Sequence, residues 1–408
     1  MWAALLGQAC APVFWLFMTV AVFSISLCRL NHTQRICVLP LFITTLALTF
    51  TSSDQLGFVP GLSSLWSQSV LLFAIHATSL LYIEKWPTIH PDTLRPSKQS
   101  GNLTRFTSRG LSDLWTTYKF FGNPRLILPG STQVPKAPAK ATSRPLFVFL
   151  RLTKLPIYYV FHFLILPPIF SEIFLGILPS DVSTMRQSMI RRAPPVTARE
   201  VMIRAWVAIH WIWETFLVLD STNAVLASLS VSIGLDLPHE WPPLFGEFSS
   251  ICSLRRFWAC FWHQLATRPY KSYAHLLAHS IGLEPSSPSF SFVVALIVFA
   301  ISGASHAAVS WQLGWKDWYL DIQWFLCNFI VCTLETLLLG IFSIAAKRFG
   351  FADELVTVKS SWLGRLISGA WVFGFFFWSV PFWKYPRMHA DAQAAMALTL
   401  IFANAKVV

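Results

Sequence analysis

The chain has 408 residues, of which 54% are hydrophobic, 15% aromatic and only 12% charged. A soluble globular domain carries about 25% charged residues, so this composition excludes an ordinary soluble fold and requires that much apolar surface faces lipid. The formal net charge is +12, but the basic residues lie between apolar segments. The positive-inside rule and anionic headgroups explain them there without a nucleic-acid partner.

Nine apolar segments approach the roughly 20 residues that a membrane-spanning helix needs. They are residues 10–28, 36–52, 67–84, 155–177, 201–220 continuing toward 233, 290–312, 321–346, 365–383 and 389–405. The fourth contains Pro167 and Pro168 and is predicted to be kinked, re-entrant or split. The fifth contains Asp220 and Asn223, and its division into two shorter helices is left open. We predict an all-α polytopic membrane protein with eight or nine spanning helices in one domain, residues 1–408.

The positions of Lys and Arg predict the orientation of these segments. The start of the chain and the 53–66 loop carry no basic residue, whereas the polar loop at 85–150 carries many. We therefore expect a lumenal N-terminus and a cytosolic 85–150 loop, in a membrane that we expect to be the endoplasmic reticulum. The basic residues between 347 and 365 place that segment in the cytosol too, and 236–289 with it. The 179–200 loop contains four arginines on the predicted lumenal side, and a re-entrant fourth segment would remove that conflict. The N-terminus lacks the basic region of a cleaved signal peptide.

The segment 238–311 contains the most informative candidates for chemistry. Residues 253–265, read as a helix after an Ser253 N-cap, form one broad apolar stripe. Arg256 and His263 lie seven residues apart on the opposite face. Two interpretations remain open: an interfacial helix whose aromatic face rests among headgroups, and a helix that presents a cation and an imidazole to a polar cavity.

His306 ends a run from Phe290 that contains no charged residue. An ionisable residue inside a spanning helix is costly and usually functional. Burial favours the neutral imidazole, which can accept a proton. Small residues just before it, Ser302 to Ser305, allow another helix or a substrate to approach closely. A histidine hydrogen-bonded between helices is the structural alternative.

Other candidates are weaker. His275 and His279 have the i, i+4 spacing of a metal pair, but no third ligand is near in sequence, and we predict no metal. His162 and His210 lie in apolar segments and suit structural roles. Three intramembrane carboxylates suit either a proton or ion path or buried hydrogen bonds: Glu214, Asp220 and Glu335. The seven Cys include no C-x-x-C pair, and the chain has no P-loop, no G-x-S-x-G elbow and no H-E-x-x-H motif.

Four motifs in order are similar to those of the wax synthase-like branch of the membrane-bound O-acyltransferase (MBOAT) family. The chain length and the loops are similar to those of its fungal terpenoid and meroterpenoid O-acetyltransferases. The motifs are Trp241–Gly246 (WPPLFG), Ser253–Trp258 (SLRRFW), Phe261–Gln264 (FWHQ), and Ser302-Gly303 followed by His306. One departure is Ala259-Cys260, where the family usually has Gly-Arg. Arg255, Arg256 or Arg268 would then have to supply the acyl-donor contact of that arginine.

The resemblance implies helices around an internal tunnel in which acyl-CoA and an alcohol meet. It assigns the catalytic histidine to His306 and places His263 in the second motif. We expect His306 to be a general base and His263, or a nearby backbone amide or the Gln264 amide, to hold an oxyanion. The remaining predicted contacts to substrate or CoA are Arg255, Arg256, Trp258, Trp262, Arg268 and Lys271.

The predicted reaction is acetyl transfer from acetyl-CoA, as a co-substrate, to a hydroxylated terpenoid, with no bound cofactor. The same chemistry with long-chain acyl-CoA and a fatty alcohol or sterol is the first alternative. A carrier built around the three intramembrane carboxylates is a further alternative, and a non-catalytic membrane scaffold is the last. The partners are therefore the bilayer, acyl-CoA and a small acceptor, without a nucleic acid.

Overall fold

The computed structural model describes residues 2–59, 61–88, 109–127, 142–174, 176–191 and 193–405. Within these ranges the chain is helical, with turns and short 3₁₀ and π segments, and no strand occurs. The α-helices are α1 (Trp2–Arg29), α2 (His32–Thr51), α3 (Leu62–Thr78), α4 (Arg109–Phe121), α5 (Arg144–Leu152), α6 (Lys154–Tyr159), α7 (Leu166–Phe174), α8 (Ala198–Ser232), α9 (Leu254–Arg256), α10 (Thr267–Ser280), α11 (Pro288–Gln312), α12 (Tyr319–Phe349), α13 (Ala352–Ser360) and α14 (Trp362–Ala405).

Eight segments of the described chain are long and apolar enough to span a bilayer. They are Cys10–Arg29, His32–Leu56, Leu62–Ile83, Arg144–Phe174, Ala198–Ser232, Pro288–Gln312, Tyr319–Phe349 and Trp362–Leu398. The predicted all-α polytopic class is confirmed, with eight spans. The two apolar runs predicted at the end of the chain are one helix, α14, which contains Pro381 and Pro386. The fifth segment is also one helix, α8, and is not divided at Asp220.

The fourth span is longer than predicted and is interrupted. It begins at Arg144 and passes through α5, α6, a π-helical turn at Val160–Ile165, and α7. Pro167 and Pro168 lie at the start of α7, directly after the π-helical turn, so the interruption of the regular helix coincides with two residues that lack a backbone N–H. The predicted polar loop at 85–150 contains α4 and ends before Arg144, while residues 89–108 and 128–141 lie outside the described ranges.

Eight crossings would agree with the prediction that the segments 85–150, 236–289 and 347–365 share one side of the membrane. They would also leave the arginine-containing loop predicted at 179–200 on the opposite side. Those arginines and their neighbours are paired: Arg186 and Arg191 bind Glu200, and Arg199 binds Asp181. The conflict therefore does not require a re-entrant fourth span. Arg192 lies outside the described residues.

The chain divides into two compact units. The first comprises residues 1–141, 234–242 and 264–329, and its core includes Phe23, Phe42 and Phe120. The second comprises residues 142–233, 243–263 and 330–408. The motif-bearing region is thus shared between the units: His306, Gln264, Arg268 and Lys271 belong to the first, and Arg255, Arg256, Trp258, Trp262 and His263 to the second.

A buried ion cluster in the first unit fastens α4 to the segment that precedes the WPPLFG motif. The Lys119 ammonium contacts Asp236 and lies 2.7 Å from Glu240 Oε1, and all three side chains are nearly inaccessible to solvent. Asp236 also accepts hydrogen bonds from the Tyr118 hydroxyl and from Trp241 Nε1, the latter at 2.9 Å. The cluster therefore fixes the first residue of the motif.

Replacing Lys119 with Met should destabilise the protein strongly. The substitution leaves two buried carboxylates without their cation, which typically costs about 3–5 kcal/mol. Thermal unfolding of detergent-solubilised protein, followed by size-exclusion fluorescence, would measure the loss. Lys119→Arg should retain most of the stability, and Lys316→Met, at an exposed position, is the matched control. Equal melting temperatures for Lys119→Met and the control would contradict the role of this cluster.

Candidate active site

In the second unit, the SLRRFW and FWHQ motifs form a short helix that ends earlier than predicted. Ser253 caps it by accepting a hydrogen bond from the Arg256 N–H at 3.1 Å. After α9 the backbone widens into a π-helical turn at Phe257–Phe261, and Trp262 is extended with ψ 155°. The predicted helix 253–265 is therefore wrong beyond Phe261. His263 follows the helix and does not share a helical face with Arg256.

The N-terminus of α9 is bound by a carboxylate from a distant part of the chain. Glu335 accepts hydrogen bonds from the Leu254 N–H at 2.9 Å and the Arg255 N–H at 3.0 Å, and from Trp371 Nε1 at 2.6 Å. Amide groups at a helix N-terminus lack intrahelical partners and favour an anion. Glu335, one of the three predicted intramembrane carboxylates, thus has a structural role in this unit.

Gly246 is required for the WPPLFG loop to pack against the helical motif. Its N–H donates to the Phe261 carbonyl at 2.8 Å, and a Cβ at this position would lie 2.1 Å from the Cys260 carbonyl oxygen. No side chain fits at that distance. Phe245, immediately before it, contacts both Trp262 and His263, with ring centroids 5.6 and 6.0 Å apart.

An aromatic cluster surrounds the residues before His263. Trp262 stacks on Trp211 at 5.1 Å and on Phe257 at 5.3 Å, and Trp258 contacts Trp262 at 5.6 Å. Phe257 and Trp262 are buried, whereas Arg255 and Arg256 are exposed. The predicted aromatic residues therefore build an apolar wall beside His263, and the two arginines face away from the core of this unit.

In the first unit, His306 lies inside α11 and is oriented by two other helices. Its Nδ1 is 3.1 Å from Gln68 Nε2 of α3, and its ring stacks on Phe325 of α12, with centroids 4.9 Å apart and planes 19° apart. Gly303 permits this stacking, because a Cβ there would lie 3.0 Å from Ile322 Cα and 3.1 Å from Phe325 Cβ. The Ser-Gly pair of the fourth motif thus sets the approach of α12 to α11.

Helix α10 connects the surroundings of His306 with a polar region. The hydroxyl of Tyr270 donates to Ser305 Oγ at 3.0 Å, next to His306 in the chain. The hydroxyl of Tyr273 lies 2.6 Å from Thr78 Oγ1. Burial raises the pKa of both tyrosines, so both remain neutral hydrogen-bonding groups at physiological pH.

Glu84, one residue past the third span, fastens the start of α10. It accepts from Ser272 Oγ at 2.6 Å and Trp86 Nε1 at 2.8 Å, and it forms an ion pair with Arg268. Burial alone would raise the pKa of Glu84, but the hydrogen bonds from Ser272 and Trp86 and the charge of Arg268 together hold its pKa below the ordinary value. Burial lowers the pKa of Arg268, against the opposing effect of Glu84.

A cavity of about 400 Å³ lies against this face of α10. Its seven lining residues are all basic or polar, and they include Arg125, Gln264, Arg268, Lys271, Ser272 and His275. Thr267, also in the lining, donates to Gln264 Oε1 at 2.8 Å. Burial and the charges of Lys271 and His279 lower the pKa of His275, so its imidazole is neutral at pH 7. The arginines and Lys271 then supply the positive charge, which Glu84 partly offsets.

The first unit thus brings together three of the predicted residues, Gln264, Arg268 and Lys271, around one cavity. Sequence reasoning missed Arg125, Glu84 and Gln68. Glu84 ends an apolar run and Gln68 is a polar residue within a span. Because polar residues in a membrane are energetically costly and usually functional, both could have been identified as candidates from the sequence. Arg125 lies in an irregular segment, and no periodicity marks it.

The remaining predicted polar residues have protein partners. Asp220 lies 3.1 Å from Lys154 Nζ and accepts from the Tyr158 hydroxyl at 2.8 Å. The Trp213 indole N–H donates to His162 Nδ1 at 3.2 Å. His275 and His279 both contact Phe290, and no group of three or more potential metal ligands occurs among the described residues.

The Glu84 network predicts a defined pH dependence of stability. Since the pKa of Glu84 is lowered in the folded protein, its contribution is complete above the ordinary carboxyl value of 4.5 and is lost as the pH falls through the lower, folded value. Glu84→Gln should reduce the melting temperature by about 2–4 °C at pH 7. The difference from wild type should stay constant down to pH of about 5 and then narrow.

Melting temperatures of both proteins between pH 7 and 3.5 would test this pH dependence, with the exposed Glu284→Gln as control. A difference that widens on acidification would mean that Glu84 is not held ionised by Arg268 and Ser272.

The fold and the two sites define an α-helical, multi-span membrane protein that holds a histidine within one span and has a cationic cavity beside the helix next to it. Residues 241–327 match the model of the membrane bound O-acyl transferase family, a segment that contains both His263 and His306. The match confirms the family resemblance that the motifs predict. No solved structure matches the chain.

Several curated fungal proteins are similar to parts of the chain. The acetyltransferase ple2 of Rhodocybe pseudopiperita is 26% identical over 53% of this chain and 55% of its own. The acetyltransferase nanB of Aspergillus nanangensis is 28% identical over 46% of this chain and 45% of its own. The acetyltransferase ataH of Aspergillus terreus reaches 39% identity, over 22% of this chain and 30% of its own. The chain spans about half the length of the first two relatives.

Proposed function

We propose that this protein is a membrane-bound O-acyltransferase that transfers acetyl from acetyl-CoA to a hydroxyl group of a terpenoid or meroterpenoid. The observation that carries the proposal is His306, held within an apolar helix by Gln68 and Phe325. The family match includes this residue. The relatives' name, acetyltransferase, supports the acetyl group, and the terpenoid acceptor rests only on the resemblance of the chain length and loops to the fungal terpenoid O-acetyltransferases.

His306 would act as the general base of the transfer. The acceptor hydroxyl oxygen attacks the thioester carbonyl carbon while His306 takes the hydroxyl proton. The tetrahedral intermediate then collapses, the carbon–sulfur bond breaks, and the proton returns to the leaving thiolate to give free CoA. The products are an ester and CoA, and the histidine is regenerated. A site within apolar helices excludes the water that would hydrolyse the thioester.

The cavity beside α10 would bind the phosphates of CoA. Arg125, Arg268 and Lys271 supply cations there, and charge-assisted hydrogen bonds are the usual means of holding phosphate. The Tyr270 hydroxyl of α10 donates to Ser305, next to His306 on α11, so the donor-binding helix is hydrogen-bonded to the helix that carries the base. The segment 236–289, predicted to be cytosolic, would face the cellular acetyl-CoA if the membrane is that of the endoplasmic reticulum.

In the second unit, His263 and its aromatic wall would contribute to substrate binding. We assign His263 the oxyanion contact, Trp258 and Trp262 the apolar substrate contacts, and the exposed Arg255 and Arg256 a contact with the donor. The carrier alternative gains no support from Asp220 and Glu335, since each is engaged in hydrogen bonds within its own unit.

The direct test is transfer of labelled acetyl from acetyl-CoA into the organic extract of microsomes that contain the protein. Hydroxylated terpenoids serve as acceptors, and His306→Ala is compared with wild type. We expect label with wild type and a loss of at least about 100-fold with the variant, since removing a general base typically costs 10²–10⁴-fold. Equal label would remove His306 from the mechanism. Label only with long-chain donors would support wax or steryl ester synthesis instead.

Substitution of the cavity cations should weaken donor binding without changing the chemical step. Lys271→Met and Arg125→Met should each raise the KM for acetyl-CoA about tenfold, because one charge-assisted hydrogen bond is worth about 1.5 kcal/mol. The KM should also become less sensitive to salt. Lys347→Met, an equal charge change at an exposed site, is the control. A fall in kcat at unchanged KM would contradict a phosphate-binding role.

A further inference from the structure

Gln68 is a polar side chain that contacts His306, and the proposed mechanism assigns it no role. It lies in α3, within the third span, and its Nε2 is 3.1 Å from His306 Nδ1. Its Oε1 is buried and has no hydrogen-bond partner among the described residues. A buried carbonyl without a partner is costly, by about 1–3 kcal/mol, so its presence beside an imidazole calls for an explanation.

The chemistry of the imidazole supplies one. A neutral histidine carries one N–H and one lone pair, and the partner of one ring nitrogen decides which nitrogen holds the proton. The oxygen and nitrogen of a glutamine amide have nearly the same shape, and the amide can present either atom after a half-turn. When the amide nitrogen faces Nδ1, the ring proton is on Nε2. When Oε1 faces Nδ1, the proton is on Nδ1 and Nε2 has the lone pair.

We propose that Gln68 is the positioning residue of His306, and that its Oε1 accepts the Nδ1–H so that Nε2 receives the proton of the acceptor hydroxyl. This inference rests on the proposed function. The same Oε1 also accepts a hydrogen bond from the imidazolium that forms during the reaction, because both ring nitrogens of that cation carry hydrogen. If Gln68 Nε2 faced the protonated Nδ1 instead, two hydrogen-bond donors would oppose each other.

Two features of the site suit this role. Phe325 stacks on the imidazole face and fixes the plane of the ring, so that Gln68 needs to control only the position of the proton. An amide is also uncharged, so it orients the ring without placing an isolated charge inside a span, which would be costly. A carboxylate would orient the ring in the same way but would hold it as imidazolium over a wider pH range.

The test compares kcat, KM and pH profiles of Gln68→Met and Gln68→Glu with those of wild type, using the full chain. Gln68→Met keeps the length of the side chain and removes both polar atoms. We expect its kcat to fall about 10–100-fold at every pH, with an unchanged KM, as is typical when a group that orients a functional histidine is removed. Gln312→Met makes the same change on α11, where Gln312 donates to the Thr51 carbonyl at 2.8 Å, and should leave kcat unchanged.

Gln68→Glu should retain the activity that Gln68→Met loses, but its pH profile should be shifted. A carboxylate can only accept from Nδ1–H, so Nε2 keeps its lone pair, and kcat at high pH should return to near the wild-type value. The acid limb of the profile should move up by about 1 pH unit, because the negative charge favours the imidazolium. Carbethoxylation of His306, followed by peptide mass spectrometry across pH, should show the same upward shift without relying on turnover.

The outcomes separate this inference from the function on which it rests. If His306→Ala abolishes transfer while Gln68→Met matches wild type in kcat and pH profile, Gln68 is not a positioning residue and the acyltransferase stands. If Gln68→Glu is inactive at every pH while Gln68→Met is active, His306 acts as a hydrogen-bond donor and the inference is overturned. A wild-type protein without acyl transfer overturns the proposed function and this inference together.

Discussion

A polar side chain inside an apolar, membrane-spanning helix must find its hydrogen-bond partner within the protein, because the bilayer core offers none. Thr19 of α1 meets Thr49 of α2 at 3.1 Å, and Gln68 of α3 meets His306 of α11. In the second unit, Asp220 of α8 meets Tyr158 of α6. Apolar packing alone leaves the rotation of a helix about its own axis weakly specified, and these pairs specify it.

Much of the architecture follows from apolar length and the placement of charge. The first three spans, α11 and α12 lie close to their predicted ranges because each is bounded by turn-forming or polar residues. His306 stands out in the sequence because its segment contains no charged residue, and the structure places it between α3 and α12. The cavity residues Arg268 and Lys271 were predicted as CoA contacts because they follow the motifs on the presumed cytosolic side, and periodicity gave no indication that Glu84 pairs with Arg268.

Other parts depend on tertiary contacts that a single sequence does not reveal. The continuity of α14 past Pro381 requires places for the polar residues between its two apolar runs: Lys384 lies 4.1 Å from the Trp383 ring centroid, and His389 contacts the Pro179 carbonyl. The helix of the SLRRFW motif ends at Phe261 because the WPPLFG loop bonds to the Phe261 carbonyl. Helical periodicity in the sequence gives no indication that Gly246 of this loop takes the Phe261 carbonyl, which a longer helix would use.

The close approach at Gly246 also has a consequence for the order of assembly during synthesis. Gly246 and Phe261 are near in sequence, so the WPPLFG loop and the π-helical turn can join as soon as both have left the ribosome. The carboxylate that caps the N-terminus of α9 belongs to Glu335, 81 residues after Leu254. The loop and the π-helical turn therefore join early, whereas the N-terminus of α9 is capped late. Its free N–H groups stay hydrated until α12 has entered the membrane. Insertion of that span is therefore the step that completes the hydrogen bonding of α9 within the second unit.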